Sequence, residues 1–513
     1  MKNNHSDLSK EELLQLISEK ESLINNSSKE IQQLTENVDY LKLQIQKYVH
    51  LLYGKKSESI HAQNSKQEKI VFPEFGTTDL NLPQDDELQQ ITYKRNKPKK
   101  TRTDFSKLEL PENLERIEVI VEPEHIPTGS VKIGEEVTEL LACQPAKLYV
   151  KTIIRPKYAL PSNEGIVVGA LPTRVIPSGK VDVSVLVMLL IDKYIYHLPL
   201  HRQIKKYQQL GIELSDSTIG DWTAKSIEVL TYLYPGLRRA VESSGFVQAD
   251  ETTMKVLDKL KKGKSHLGYY WVYHAVKEKV VLFNYDRGRS SDVPLEMLLN
   301  FKGVLQTDGL EQYQKVGRKL SGLKLAGCMA HARRKFHDAL MFNKSQATWM
   351  LEKYQELYAI EAIARDHHFT DAQRLEIRQL KSVTILNEMK QWMEDTIEAY
   401  KHKSNPITQA CQYNLLRWER LIFFTTEGKV EIDNNLVENA IRPVALGRRN
   451  YMFAGSHEAA QRGAIIYSLF ATCKRNGVDT VKWLEYVLDR ILDTKQSELD
   501  NLLPQHFTEI FPA

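Results

Sequence analysis

A change in hydrophobic period after Gly245 constrains the fold more than any other feature of the chain. Four runs of apolar residues then have the length and alternation typical of β-strands, at residues 246–252, 268–273, 280–285 and 303–309. The first three runs together are typical of an antiparallel meander. Asp250 lies within the first run and Asp308 ends the fourth, so a sheet that pairs these two strands would bring both carboxylates together.

A third carboxylate follows a helix-capping signal farther along the chain. Either residue of Asp433–Asn434 can cap a helix that carries Glu438 and, one turn later, Arg442. Phosphodiester chemistry with two metal ions needs hard oxygen ligands and open positions for water and phosphate oxygens. We therefore expect Asp250, Asp308 and Glu438 to be catalytic and to hold two Mg²⁺ or Mn²⁺ ions. The alternatives are solvent-facing acids on a half-exposed sheet and, for the glutamate, a simple ion pair with Arg442.

Basic segments follow the second and third acids, where cations would be needed to hold a phosphate backbone. The residues that we expect to contact DNA there are Arg333, Arg334, Lys335, Arg442, Arg448 and Arg449. Solvated surface charge is the alternative for each of them. Cys328 and His331 have a spacing that could bind a metal, but no second pair lies nearby, so a structural role is the expectation.

A pair of short helices is predicted upstream of the strands. An apolar helix begins at Val183, and a second helix follows and ends at Gly211, a residue that suits the position just after a helix. Ser215 can cap the next helix, which makes residues 216–225 a candidate recognition helix in a helix-turn-helix. Its basic flank adds Arg202, Lys205 and Lys206 to the expected DNA contacts; an ordinary helical hairpin is the alternative.

The N-terminal region carries a heptad repeat. Apolar residues recur in steps of three, four or seven at Leu13, Ile17, Ile24, Ile31, Leu34, Val38, Leu41, Ile45, Tyr48 and Leu52, with Lys20 and Ser27 at two of the d positions. β-Branched residues at position a with leucine at position d favour a parallel dimeric coiled coil, and a helix docked on its own domain is the alternative. Beyond Gly54 the composition is that of a linker, which includes the basic run Lys94–Lys100.

Composition narrows the class of protein. Lys and Arg total 70 against 66 Asp and Glu, a net charge of +4, so any nucleic-acid surface must come from local clusters of charge. The 4 cysteines form no paired motifs, as expected in a reducing compartment. The longest apolar run, Val183–Ile191, is about half of the roughly 20 residues that a membrane span requires. We expect a cytoplasmic, nucleoid-associated protein with no membrane role.

Several motifs together resemble the insertion sequence 66 family of bacterial transposases. They are Leu51–Glu58, Arg155–Ala159, Lys193–Tyr194 with His197–Leu200, Ala249–Thr252, His331–Phe336, Glu431–Asn435 and, most specific of all, Ile441–Tyr451 continuing to Ala454–Ser456. The resemblance implies an Asp-Asp-Glu transposase with a ribonuclease H-like core, whose acids map onto Asp250, Asp308 and Glu438. It also implies terminal inverted repeats and target DNA as partners, together with small accessory proteins of the same element. The other functions left open are a catalytically inactive DNA-binding regulator and a nuclease that cuts without joining.

One departure from the family pattern concerns zinc. The family carries paired cysteines before and just after the position of Arg155–Ala159, and this chain has His125–Ser130 and Leu160–Gly165 there instead. We therefore expect no zinc, although the strands of that module can remain.

The expected fold is multidomain α+β, with a ribonuclease H-like α/β catalytic core and an all-helical insertion. The predicted segments are a coiled-coil dimerisation helix (1–53), a basic flexible linker (54–107), a small β-rich module (108–177), helix-turn-helix-like DNA-binding helices (178–240), the first part of the core (241–344), the helical insertion (345–427), the last part of the core with the third acid (428–464) and a C-terminal helical region (465–513).

Overall fold

The computed structural model describes residues 110–512, apart from residues 111, 113, 124, 145–146, 162–164, 178, 258–263 and 402. The predicted coiled coil at residues 1–53 and the linker at residues 54–107 lie outside the described residues. The described chain is mixed α+β, with two mixed sheets and many helices.

The first sheet is built from long neighbouring strands. Its members are β1 (Arg116–Ile120), β2 (Val131–Gln144), β3 (Lys147–Ala159) and β4 (Ile166–Val168). Strand β3 is central: β1 pairs with it in parallel, whereas β2 and β4 pair with it antiparallel. Leu141 of β2 exchanges backbone hydrogen bonds with Lys180 and Asp182, which ties this sheet to the helix that follows.

Four helices separate the two sheets: α1 (Val183–Tyr194), α2 (Leu200–Gln209), α3 (Asp216–Leu230) and α4 (Tyr234–Ser243). The turn between α2 and α3 has the predicted chemistry, because Gly211 adopts a φ of +80° and the Ser215 hydroxyl accepts a hydrogen bond from the Thr218 backbone N–H. The predicted inner face of α3, formed by Ile219, Trp222 and Ile227, is buried.

The second sheet has five strands in the order β7-β6-β5-β8-β9. They are β5 (Phe246–Leu257), β6 (Ser265–Ala275), β7 (Val280–Asp286), β8 (Gly303–Gln306) and β9 (Leu323–Ala326). The first three form the predicted antiparallel meander. Strand β8 pairs with β5 in parallel, which is the pairing expected to bring Asp250 and Asp308 together. The fifth strand is not predicted, since its four residues, Leu-Lys-Leu-Ala, are too few to show a period.

Helices surround this sheet. They are α5 (Asp292–Met297), α6 (Glu311–Lys319), α7 (Met329–Asp338), α8 (Lys344–Asp366), α9 (Asp371–Ile377), α10 (Val383–Ala399), α11 (Pro406–Leu415), α12 (Trp418–Leu421), α13 (Asn435–Tyr451), α14 (His457–Asn476) and α15 (Thr480–Arg490). A π-helical turn spans Arg378–Ser382, and 3₁₀ turns span Thr231–Leu233, Ile422–Thr425, Gln496–Leu502 and Pro504–His506. No helix in the described part of the chain is both long and apolar enough to cross a membrane.

Candidate active site

Asp250 and Asp308 lie side by side at one end of the paired strands β5 and β8. The last residue pair of that parallel ladder is Gln248 with Gln306, and each aspartate lies two residues beyond its glutamine. Asp250 lies within β5 and Asp308 lies just after the end of β8, and the charge of Asp308 acts on Asp250. The strand pairing therefore brings together the two aspartates that the sequence predicts to meet.

Glu438 lies in the first turn of α13 and acts electrostatically on the same place. Burial, followed by the neighbouring Asp308, raises the pKa of Asp250 to about 8, and the charges of Glu251 and Glu438 raise it further. A largely buried carboxyl held among other carboxylates is a site that a hard divalent cation would neutralise. Over the described ranges, however, no three carboxylate, imidazole or thiol groups meet closely enough to hold one ion. The donor chemistry fits Mg²⁺ or Mn²⁺, with the aspartates as the adjacent pair.

Two fully buried glutamines connect the three segments that carry the acids. The Gln248 side-chain amide N–H donates to the Gln306 side-chain oxygen at 2.9 Å and to the Asp433 backbone carbonyl at 2.8 Å. The Gln248 carbonyl oxygen accepts from the Val437 backbone N–H at 3.2 Å, next to Glu438.

The second glutamine extends the same network. The Gln306 amide donates to the backbone carbonyls of Glu431 at 2.6 Å and Gly327 at 3.0 Å. We name Gln248 and Gln306 the glutamine clamp. This clamp is not predicted from the sequence, although a repeated Gln-x-Asp pattern, Gln248-Ala249-Asp250 and Gln306-Thr307-Asp308, marks it.

The other two acids near Glu438 have their own partners. Glu431 forms a two-pronged ion pair with Arg374 of the helical insertion. Asp433 accepts hydrogen bonds from the Tyr358 hydroxyl at 2.7 Å and from Asn435. Glu438, in contrast, has a side chain that is 35% exposed and lies 3.7 Å from the His331 imidazole. These contacts favour Glu438 over Glu431 and Asp433 as the third ligand.

An ion pair beside Asp250 is not predicted from the sequence. The side chain of Glu251 is only 8% exposed and pairs with Arg289, which is 44% exposed; among the described residues, one buried oxygen of Glu251 has no hydrogen-bond partner. Burial raises the pKa of Glu251, and Arg289 opposes that shift. An acid directly next to Asp250 was a sequence signal for this pair, but Arg289 lies too far along the chain to be predicted as its partner.

Comparison with known proteins connects this geometry to a family. A profile described as "Transposase IS66 family" matches residues 178–462, which is more than half of the chain and includes the whole five-stranded sheet. The chain belongs to this transposase family. Two further profiles, "IS66 C-terminal element" and "Transposase C of IS166 homeodomain", match residues 468–505 and 40–119.

The chain is also similar to uncharacterized proteins over most of its length. The uncharacterized protein y4qI of Sinorhizobium fredii (strain NBRC 101917 / NGR234) is 33% identical over 476 residues, which is 89% of this chain and 86% of the relative. The uncharacterized protein y4jD of the same strain is 31% identical over 499 residues, which is 93% of this chain and 96% of that relative. No solved structure matches the chain significantly. The predicted family is thereby confirmed, and Asp-Asp-Glu transposases of this kind carry out phosphoryl transfer on DNA.

The basic residues near the acids that we expect to contact DNA differ in their exposure and in their hydrogen bonds. Arg448 is held by β5, because its guanidinium donates to Thr252 and Thr253 at 2.6–3.0 Å. Arg333 is half-buried, and the exposed ones are Arg334, Lys335, Arg442 and Arg449. Arg448 thus fixes the end of α13 to the acid-bearing strand, and the exposed residues remain candidates for phosphate contact.

The helix pair α2–α3 is joined by the short turn that the sequence predicts, but its charge distribution is uneven. Arg202 and Lys205 of α2 are exposed, and Lys206 pairs with Asp192 at 3.0 Å. The exposed side of α3 carries three acids, Asp216, Asp221 and Glu228, and one lysine, Lys225, which pairs with Asp221. An acidic outer face is unfavourable for a helix lying in a DNA groove, so the charges favour α2 over α3 for any phosphate contact.

Proposed function

We propose that this chain is a DNA transposase that cleaves phosphodiester bonds at the ends of its element and joins those ends to target DNA. The observation that carries the proposal is the parallel pairing of β5 with β8. This pairing supports the proposal because each aspartate follows a paired glutamine by two residues, and the charges of Asp308 and Glu438 both act on Asp250. The mixed five-stranded sheet around them is the arrangement that a ribonuclease H-like core requires.

The three acids are the proposed ligands of two divalent ions. Asp250, Asp308 and Glu438 would hold the ions through their carboxylate oxygens, the donors that Mg²⁺ and Mn²⁺ prefer. Bound there, the ions supply a lowered pKa for the attacking hydroxyl and stabilisation of the leaving 3′-oxygen during in-line displacement. Backbone N–H groups orient two of the carboxylates. Leu310 N–H donates to the Asp308 carboxylate at 2.9 Å, and Glu251 N–H donates to the Asp250 carboxylate at 2.8 Å.

Two displacements at phosphorus account for the reaction. In the first, water attacks the phosphodiester at the element's end, and the broken P–O bond leaves a 3′-hydroxyl and a 5′-phosphate. In the second, that 3′-hydroxyl attacks a phosphodiester of the target, forms a new P–O bond, and displaces the target's 3′-oxygen. No covalent bond to the protein forms at either stage.

The direct test uses labelled element ends with Mg²⁺ and carboxylate variants of the full chain. Asp250→Asn, Asp308→Asn and Glu438→Gln should each slow cleavage by more than about 100-fold. Residues that only hydrogen-bond to a metal ligand typically contribute 10- to 100-fold to metal affinity or activity, so loss of a ligand itself should cost more. Glu431→Gln and Asp433→Asn are matched controls for the third ligand and should be affected less. Cleavage that survives all three changes would overturn the assignment of the site.

The same assay separates the alternatives. Ends that are cut but never joined to a second DNA would identify a nuclease. Element ends that are bound but not cut at any Mg²⁺ or Mn²⁺ concentration would identify a DNA-binding regulator.

A further inference from the structure

A group of basic side chains, two from the helical insertion and Lys335 from α7, lies near Asp308. The guanidinium of Arg417 lies over the ring of Tyr413 at 4.0 Å from its centroid, and the ammonium of Lys335 lies 4.9 Å from the same centroid. The Tyr413 hydroxyl donates to the backbone carbonyl of Asp308 at 3.3 Å. We name Lys335, Tyr413, Arg417 and Arg420 the insertion cluster.

The insertion cluster is fixed to the strand that carries the second acid. Gly309 has a φ of +95°, and a Cβ built on it would lie 3.1 Å from Nε of Arg417. A glycine at this position therefore leaves room for the Arg417 guanidinium to pack against the backbone. The backbone carbonyl of Arg420 accepts from Gly327 N–H at 2.8 Å, directly after β9. The cluster therefore keeps its position relative to Asp308.

The positive charge of this cluster is not neutralised within the described part of the chain. Neither Arg417 nor Arg420 has an ion-pair partner there, and Nε of Arg417 is buried without any hydrogen-bond acceptor. Burial, Arg417 and Arg318 together lower the pKa of Arg420, as expected for cations that repel one another. A buried donor without an acceptor is destabilising, so an anion that accepts from this guanidinium would be bound favourably.

A narrow cleft adjoins both the arginines and the acid. Its volume of about 10 Å³ gives room for one water-sized group, such as a phosphate oxygen, and it is lined by Thr307, Asp308, Gly309, Tyr413, Arg417 and Arg420, among others. Guanidinium groups bind phosphate oxygens through paired N–H donors, and stacking on an aromatic ring holds the group in one orientation.

We propose that the insertion cluster binds a backbone phosphate of the DNA strand held by the carboxylates, one or two nucleotides from the bond that is cut. This rests on the proposed function for the location of the cut, but not for the binding of phosphate. The helical insertion then contributes directly to substrate positioning, and Arg417 and Arg420 are its binding residues.

Salt dependence of DNA binding tests the charge contacts without any need for cleavage. In the Asp250→Asn background, the affinity for element-end DNA is measured by fluorescence anisotropy from 50 to 300 mM salt. Each lost phosphate contact lowers the slope of log K against log salt by about 1, so Arg417→Gln/Arg420→Gln should lower it by about 2. The control, Arg365→Gln/Lys381→Gln, removes two exposed charges from the same insertion and should leave the slope unchanged.

Neutral methylphosphonate linkages then locate the contact. A series of DNAs, each with one neutral linkage near the cut, should contain one within two nucleotides of the cut that weakens binding by the wild type but not by the double variant. Such loss of additivity shows that the arginines and that phosphate act together.

The outcomes are distinguishable. An unchanged salt slope in the double variant overturns the phosphate site even if the protein is an active transposase. A reduced slope in a protein that never cleaves keeps the phosphate site and counts against the proposed function. The double variant could also melt at a lower temperature than its wild-type counterpart. In that case Arg420→Gln alone, which keeps Arg417 stacked on Tyr413, should lower the salt slope by about 1. Arg417→Lys/Arg420→Lys keeps both charges and should restore the wild-type slope. An unchanged slope in Arg420→Gln would equally reject the proposal.

Discussion

The protonation of Asp250 controls the affinity of the proposed site for metal. With a pKa of about 8 in the metal-free protein, Asp250 is mostly protonated at pH 7 and must lose that proton to act as a ligand. We expect the affinity for Mn²⁺ to rise about tenfold per pH unit up to about pH 8 and to level off above it. Isothermal titration at pH 6, 7, 8 and 9 measures this, and an affinity that does not vary from pH 6 to 8 would contradict it.

The same carboxyl should make the metal-free protein less stable as the pH rises. Its folded-state pKa is above the unfolded value of 3.8, so the folded state binds more protons between these values, and stability falls from about pH 4 to about pH 8. Asp250→Asn removes this penalty. Its melting temperature without metal should exceed that of the wild type at pH 8 by roughly 2 °C or more, and the difference should shrink at pH 5.

A matched variant separates this effect from a general gain in stability. Asp479 caps the helix Thr480–Arg490 through two backbone N–H groups, away from the proposed site. Asp479→Asn should lack the pH-dependent gain of Asp250→Asn. Equal gains at pH 5 and pH 8 in the Asp250 variant would contradict the electrostatic explanation.

The glutamine clamp is the link between elements on which the relative position of the acids depends. Gln248→Leu leaves the Asp433 carbonyl and the Val437 N–H without their buried partner, at a cost of about 1–3 kcal/mol for each group left unpaired. We expect slower cleavage at saturating DNA and Mg²⁺ with little change in DNA affinity, since the helix of Glu438 loses its connection to β5. Single-turnover cleavage and anisotropy measure the two quantities.

Gln203 provides the control for this variant. It is also fully buried, and its amide donates to the Leu189 and Leu198 carbonyls at 3.3 and 3.0 Å, outside the proposed site. Gln203→Leu should lower stability but leave the rate of cleavage at saturating DNA unchanged. If both variants slow cleavage equally, the clamp is only a stabilising contact.

The elements that the sequence predicts best are those whose signal is local. The strands after Gly245 and the cap at Ser215 follow from neighbouring residues, and the pairing of β5 with β8 needs only one inference about where two acids meet. The ion pair of Glu431 with Arg374 could not be predicted, because the two residues are 57 positions apart and meet only when the helical insertion is folded. The repeated Gln-x-Asp pattern could not be interpreted from the sequence for the same reason. Its glutamines bind the loop before Glu438, which lies far along the chain.

At the scale of the whole molecule, the helical insertion and the central sheet share one apolar core. Tyr354, Met389 and Cys411 of the insertion are buried in the same cluster as Phe246 and Val304 of the sheet. An insertion packed in this way can place charged groups against the site with little freedom of movement, which periodicity alone does not indicate. The sequence therefore predicts that an insertion exists but not that it borders the proposed active site.

Transposition also requires two element ends in one complex, and the predicted coiled coil at residues 1–53 offers a means of pairing them. A parallel dimer would hold one end per subunit, so deleting residues up to Leu52 should abolish paired-end complexes in a gel-shift assay and leave cleavage of single ends intact. Ile31→Lys places a charge at an a position and should have the same effect, because a charged residue in the seam opposes dimerisation. Gln32→Lys adds the same charge at the neighbouring b position, outside the seam, and should pair ends normally. Paired ends that persist in both the truncation and Ile31→Lys would place the dimer contact elsewhere in the chain.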